Sequence, residues 1–196
     1  DVNVEQAIEY SCNVFFYKMG LELGVDRVAD YDRRFGFGEE TGIALEGEQA
    51  GLIPTKAWKQ RALKEPWYIG ETVPVSIGQG YVSVTPLQMV EYMNVIANGG
   101  TWVRPTIVRQ ILTFDGREVL APALGPRESR RVGFLPETLA ILRESMSYVV
   151  NRNGTARSAR SRQFVIAGKT GTSQVVGRAT KLTEEQREEL LPHSLF

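Results

Sequence analysis

Phe164-Val165-Ile166-Ala167-Gly168-Lys169-Thr170-Gly171-Thr172 is the stretch around which the rest of the sequence is arranged. Four consecutive apolar residues, two of them β-branched, predict a buried strand over 164–167. After it come a cation, two hydroxyls and two glycines. A strand ending in this way presents a fixed ammonium, two hydroxyl donors and an open backbone edge, a combination suited to a ligand carboxylate. Gly168-Lys169-Thr170 also matches the end of a phosphate-binding Walker A loop. That motif needs a glycine five residues before Gly168, where Gln163 stands, and the apolar run leaves no room for a glycine-rich loop. The nucleotide-binding reading fails.

Size and composition narrow the class. A chain of 196 residues suits one ordinary domain with enough length to bury a core. No internal repeat, low-complexity segment or linker divides it, so residues 1–196 are read as one unit. The apolar fraction of 42% is that of a globular protein and argues against disorder. Lys+Arg and Asp+Glu both number 23, so no net field draws the chain to nucleic acid or to an anionic membrane, and no nucleic-acid partner is expected. Cys12 is the single cysteine, which excludes an internal disulfide and a cysteine-based metal site. No metal or cofactor is expected. No apolar run approaches the length of a membrane span, and Asp1-Val2-Asn3 is neither a methionine start nor a signal peptide. That opening predicts a chain that begins inside a longer one.

Along the chain, Val4, Ala7, Ile8 and then Phe15, Phe16 and Met19 give a helical rhythm interrupted at Ser11-Cys12-Asn13. Two helices joined by a short loop are expected, with Ser11 or Asn13 capping the second, which Gly20 and Gly24 close. Val25–Phe35 predicts a further helix capped by Asp26 and stopped by Gly36. From Gly36 to Gly51 the glycine spacing predicts an irregular surface loop. Thr55–Leu63 predicts a short helix with Trp58 on its inner face, followed by the rigid aromatic run Pro66-Trp67-Tyr68. Ile77-Gly78-Gln79-Gly80-Tyr81 has too many glycines for regular structure. Thr85-Pro86-Leu87-Gln88 is a helix start with N-cap, proline and capping box in place, leading into a helix to Asn98 expected to be buried on most sides. Asp115-Gly116 predicts a hairpin between Ile107–Thr113 and Glu118–Leu120. Pro136–Val150 predicts a helix, Arg152, Arg157, Arg160 and Arg162 a solvated basic loop, and Thr183-Glu184-Glu185-Gln186 a second capping box opening a helix to Leu191.

Lys169-Thr170-Gly171 and Ser11-Cys12-Asn13 stand in the order of two motifs shared by penicillin-binding proteins and class A β-lactamases. Gly51-Leu52-Ile53-Pro54, Trp58-Lys59, Pro66-Trp67-Tyr68, Ile77–Tyr81 and Thr85–Gln88 also fall in the order found in class B penicillin-binding proteins. The run resembles the transpeptidase domain of the penicillin-binding protein 2, or elongation, type. The likeness extends from Ser11 to His193-Ser194-Leu195-Phe196, which looks like the opening of the next strand. On residue type alone Ser11 and Asn13 are helix caps; the resemblance reverses that reading. It implies an α+β fold, an antiparallel sheet packed between helices, with the site at the edge of the Lys-Thr-Gly strand. It implies a D,D-transpeptidase that cross-links peptidoglycan stem peptides by serine acyl transfer at D-Ala-D-Ala and binds β-lactams. Lys169 would supply the positive field for the terminal carboxylate, and the Thr170 and Thr172 hydroxyls would bond it. Gly171 completes the motif. The Thr172 N–H would form half of the oxyanion hole. Ser11 would relay a proton to the leaving amine with Lys169 lowering its pKa, and Asn13 would bond the substrate amide. The implied setting is the periplasmic face of a bacterial inner membrane, with elongation-machinery membrane proteins as partners.

One departure matters. No Ser-x-x-Lys, the family's nucleophile motif, occurs in these 196 residues: Phe15, Ile53, Lys56, Arg61, Ile166 and Arg178 stand three before the six lysines. The resemblance therefore implies a partial transpeptidase domain, incomplete at both ends, inactive by itself, whose N-terminal membrane anchor and partner-binding part lie outside these residues. Two other readings stay open, a serine β-lactamase and a β-lactam sensor module that acylates without turnover. His193 reads as structural.

Overall fold

The computed structural model describes residues 2–117, 119–122, 128–173 and 193–196. Among these residues seven α-helices run in chain order: α1 Val4–Glu9, α2 Asn13–Leu23, α3 Val25–Arg34, α4 Lys56–Ala62, α5 Ile69–Val75, α6 Pro86–Ala97 and α7 Pro136–Asn151. Six strands accompany them: β1 Thr101–Val103, β2 Gln110–Leu112, β3 Val119–Pro122, β4 Ser129–Arg131, β5 Gly171–Ser173 and β6 His193–Leu195. They form three antiparallel pairs, β1 with β4, β2 with β3 and β5 with β6. The class is α+β, as expected. The expected helix over Thr183–Leu191 lies outside the described residues.

The core is built on α7 and α6. Met146, Val149 and Val150 of α7 join Ile8 of α1, Ile96 of α6 and Ala156 in one buried cluster, against which Phe16, Phe35 and Ile166 pack. Each fully buried aliphatic side chain here is worth about 1.5–3 kcal/mol, so the end of α7 is a rigid base. α6 begins as its sequence dictates. Thr85 Oγ1 accepts from the Gln88 N–H at 3.2 Å and Gln88 Oε1 accepts from the Thr85 N–H at 2.8 Å. The Gln88 amide also donates to the Glu39 and Ala50 carbonyls at 2.8 and 2.9 Å, so one buried cap staples the 36–51 loop to the helix. That loop is irregular, as expected, yet it is not all surface: Phe37 and Thr41 are buried. Nor is α6 buried on most sides. Gln88, Glu91, Val95 and Ile96 face inward, and Val90 is exposed, because one stripe of the helix is enough to close the core.

Several local expectations are corrected. Asp26 lies in the first turn of α3 but does not cap it; Gly24 is the N-cap, and the Asp26 carboxylate instead accepts from the Lys56 N–H at 3.0 Å, holding the start of α4. Gly20 does not close α2; it lies inside the helix where α2 crosses α5, and a Cβ there would meet Ser76 Oγ at 1.9 Å. On α4 the fully buried side chain is Lys59 rather than Trp58. Its ammonium lies 2.5 Å from Glu71 and 3.4 Å from Glu65, over the Tyr68 ring. Burial works against the Lys59 charge, but the Glu71 carboxylate beside it prevails and holds the pKa above its ordinary value. This pair ties α4 to α5, and Ser76 at the end of α5 bears on α2.

The largest correction concerns residues 164–167. They are not a buried strand: Phe164 is 70% exposed and Val165 84% exposed. Only Ile166 turns into the core. The segment lies along the end of α7, where the Asn151 amide donates to the Ile166 carbonyl at 2.7 Å and the Gly168 N–H donates to the Met146 carbonyl at 3.1 Å. Strand pairing starts only at Gly171.

Candidate active site

Two chain segments 158 residues apart meet at Ser11 and Lys169. Ser11 lies between α1 and α2 in a left-handed conformation, φ +53°. A non-glycine residue there carries strain on the order of 1–2 kcal/mol, offset by the loop around it. The Cys12 N–H donates to the Ala7 carbonyl at 2.9 Å and the Ser11 N–H to the Ile8 carbonyl at 3.3 Å. Neither Ser11 nor Asn13 caps α2. Its N-cap is Cys12, which makes no side-chain cap bond, and Asn13 is the first helical residue. The tight turn turns the Ser11 hydroxyl away from the helix and toward Lys169.

Lys169 follows Gly168, which is buried beneath the Phe196 ring; a Cβ at Gly168 would meet that ring at 2.6 Å. The Lys169 Nζ donates to Ser11 Oγ at 2.5 Å and to its neighbour's carbonyl, that of Thr170, at 2.8 Å. Among the described residues no carboxylate pairs with it. Burial pushes its ammonium below the ordinary lysine value. Thr170 Oγ1 stands 3.5 Å from Ser11 Oγ and 2.6 Å from Thr155 Oγ1. Gly171 and Thr172 lie in β5, in register with Leu195 and Ser194 of β6, and among the described residues β5 has a ladder partner on one side only. Asn13 is exposed at the start of α2, two residues from Ser11, and no hydrogen bond joins it to the cluster. A half-buried cation, convergent hydroxyls and an open strand edge can hold an anion beside a backbone amide ligand.

The whole chain, residues 1–196, matches the penicillin binding protein transpeptidase domain. It belongs to that family. It is similar to the peptidoglycan D,D-transpeptidase MrdA of Escherichia coli K12, 36% identical over 199 residues, which cover 97% of this chain and 31% of that protein. Among solved structures it resembles Pseudomonas aeruginosa PBP2 in complex with WCK 5153, with a TM-score of 0.77 and 34% identity over 89% of this chain and 39% of that one. It also resembles the PBP2 of Helicobacter pylori solved in complex with MreC, with a TM-score of 0.72 and 34% identity over 89% of this chain and 30% of that one. The chain thus spans about a third of the length of the curated relatives it matches.

Within this transpeptidase domain, Ser11, Lys169 and Thr170 form one bonded cluster, Gly171 and Thr172 continue it along β5, and Asn13 flanks it. Thr155 is a member that sequence reasoning did not single out. It sits in the turn after α7, and its only sequence signal is the Asn153-Gly154 pair before it, which marks a turn and says nothing of what the next hydroxyl faces. No helix among the described residues is long and apolar enough to cross a membrane.

Proposed function

We propose that these residues are the substrate-holding part of a peptidoglycan D,D-transpeptidase of the penicillin-binding protein 2 type, acting at the D-Ala-D-Ala end of a stem peptide. The observation that carries this reading is the 2.5 Å bond from the Lys169 ammonium to Ser11 Oγ, which unites the Ser-x-Asn and Lys-Thr-Gly motifs. In it the terminal carboxylate is held by the Lys169 field and by the Thr170 and Thr172 hydroxyls. Charge-assisted bonds of this kind contribute about 1.5–3 kcal/mol each. An ammonium only donates, so Ser11 Oγ accepts from Lys169 and keeps its own proton to pass to the departing amine of D-Ala. The Thr172 N–H supplies one oxyanion donor, and Asn13 bonds the substrate amide. The nucleophile is the serine of a Ser-x-x-Lys motif, outside these 196 residues. The proposal extends to the cell-wall elongation machinery as partner and to the periplasmic side of the inner membrane as location. The MreC-bound relative supports the first of these by similarity.

The test is to incubate the full-length protein with an acyl-D-Ala-D-Ala peptide and an amine acceptor. Stoichiometric release of D-Ala with formation of the new amide supports the reading. Release of D-Ala to water alone points to a hydrolase, and no release at all overturns it.

A further inference from the structure

Thr155 occupies a position built for a purpose that core packing does not explain. Its neighbours on both sides, Gly154 and Ala156, are buried, whereas Thr155 itself is exposed. A Cβ at Gly154 would meet Val149 Cα at 2.3 Å, so the turn closes against the α7 backbone. The Ala156 N–H donates to the Val149 carbonyl at 3.0 Å, and the Asn153 N–H donates to the buried Glu9 carboxylate at 3.2 Å. Glu9 ends α1, two residues before Ser11. One helix end therefore fixes both Ser11 and the turn that carries Thr155. Among the described residues the side chain delivered by this turn hydrogen-bonds Thr170, Oγ1 to Oγ1 at 2.6 Å.

The direction of that bond decides what Thr170 can do. A carboxylate is a pure acceptor, and Thr170 has one proton. If Thr170 donated to Thr155, nothing would remain for the ligand. We propose that Thr155 is a positioning residue: its hydroxyl donates to Thr170 Oγ1 and fixes the Thr170 proton toward the ligand carboxylate. Thr155 thereby sets preference for a carboxylate-terminated ligand, acting through Thr170. The inference rests on the transpeptidase reading above.

The experiment measures pre-covalent binding and acylation rate separately for the full-length protein with a penicillin and with its methyl ester. Thr155→Val keeps the shape and removes the hydroxyl; Thr155→Ser restores it. A net hydrogen bond of ordinary strength predicts that Thr155→Val weakens binding of the free acid by roughly three- to tenfold, with the acylation step changed less than about twofold and the ester unaffected. Thr155→Ser should return the acid-to-ester preference to that of the wild type. In a Thr170→Val background, Thr155→Val should cost nothing further. Equal binding of the acid by wild type and Thr155→Val overturns the proposal, as does equal loss for acid and ester or failure of Thr155→Ser to rescue. An additive loss in the Thr170→Val background would mean that Thr155 touches the ligand itself, and overturns the route through Thr170. Wild-type protein that is not acylated at all overturns the transpeptidase reading and this inference together. Wild-type protein that is acylated in a Lys169-dependent way, with pre-covalent binding of the free acid that does not depend on Thr155, overturns this inference alone.

Discussion

Glu91 on α6 is buried to 4% exposure, and among the described residues neither of its carboxylate oxygens has a hydrogen-bond partner. Burial pushes its pKa up from 4.5 to about 7; the Trp102 indole, whose Nε1 likewise lacks a formed hydrogen bond, and the Arg130 guanidinium offset this only in part. Glu48 adds to the upward push. The sign follows from linkage. Below pH 4.5 the group is protonated folded or unfolded and adds no ionisation cost; between 4.5 and about 7 the unfolded chain ionises first, so stability falls as pH rises, with the full ionisation cost present above 7. The size is on the order of 2–3 kcal/mol between pH 5 and 8. Glu91→Gln, neutral at every pH, should therefore stabilise the protein by about that much more at pH 8 than at pH 5, read from denaturant midpoints at the two pH values. Equal effects at both would show that Glu91 is already compensated. At the same scale, residue type alone does not pair Ser11 with Lys169; the resemblance does, and the bond between them follows it. The left-handed Ser11 and the buried Lys59 were not legible in the sequence, because both depend on what distant segments supply.

Helices were read well wherever their ends carry their own signal. Thr85-Pro86-Leu87-Gln88 contains every group that its cap uses, and α4, α6 and α7 lie where capping and periodicity put them. The hairpin around Asp115-Gly116 formed for the same reason, with a first strand shorter than expected and a second that runs on to Pro122. Misreadings fall where a second element decides. Asp26 resembles a cap in sequence, but it bonds the first N–H of α4, whose N-cap is Thr55, and not the start of α3. Gly20 resembles a helix stop and is instead a point of contact between two helices. That contact is testable. A Cβ at Gly20 would lie 1.9 Å from Ser76 Oγ and 2.6 Å from Ser76 Cβ, so Gly20→Ala must separate α2 from α5. Overpacking of this kind costs about 1–3 kcal/mol. Adding Ser76→Gly to Gly20→Ala should recover part of the loss in thermal unfolding. A double variant no more stable than Gly20→Ala would place the strain elsewhere.

At the scale of the molecule, fold class and motif order were legible and burial was not. The apolar run 164–167 reads as a buried strand by composition, yet it rides along the end of α7 with only Ile166 packed inward. What it contributes is reach: it carries Lys169 from the α7 base, held at Gly168 and Ile166, to the serine between α1 and α2. The family match covers residues 1–196, and the meeting of Ser11, Lys169, Thr170 and Thr155 gives that match a physical centre. The central claim is that the Lys169 charge holds the carboxylate of D-Ala-D-Ala and of its β-lactam mimics. The most direct measurement is the second-order rate of labelling of full-length protein by a fluorescent penicillin, in wild type, Lys169→Ala and Lys169→Arg. Removing a charge-assisted partner in a partly desolvated cleft should cost about 2–4 kcal/mol of transition-state stabilisation, roughly a 30- to 1000-fold slower rate. Lys169→Arg should recover only part, because a forked planar cation does not replace a compact one. Labelling of Lys169→Ala at the wild-type rate would contradict the account.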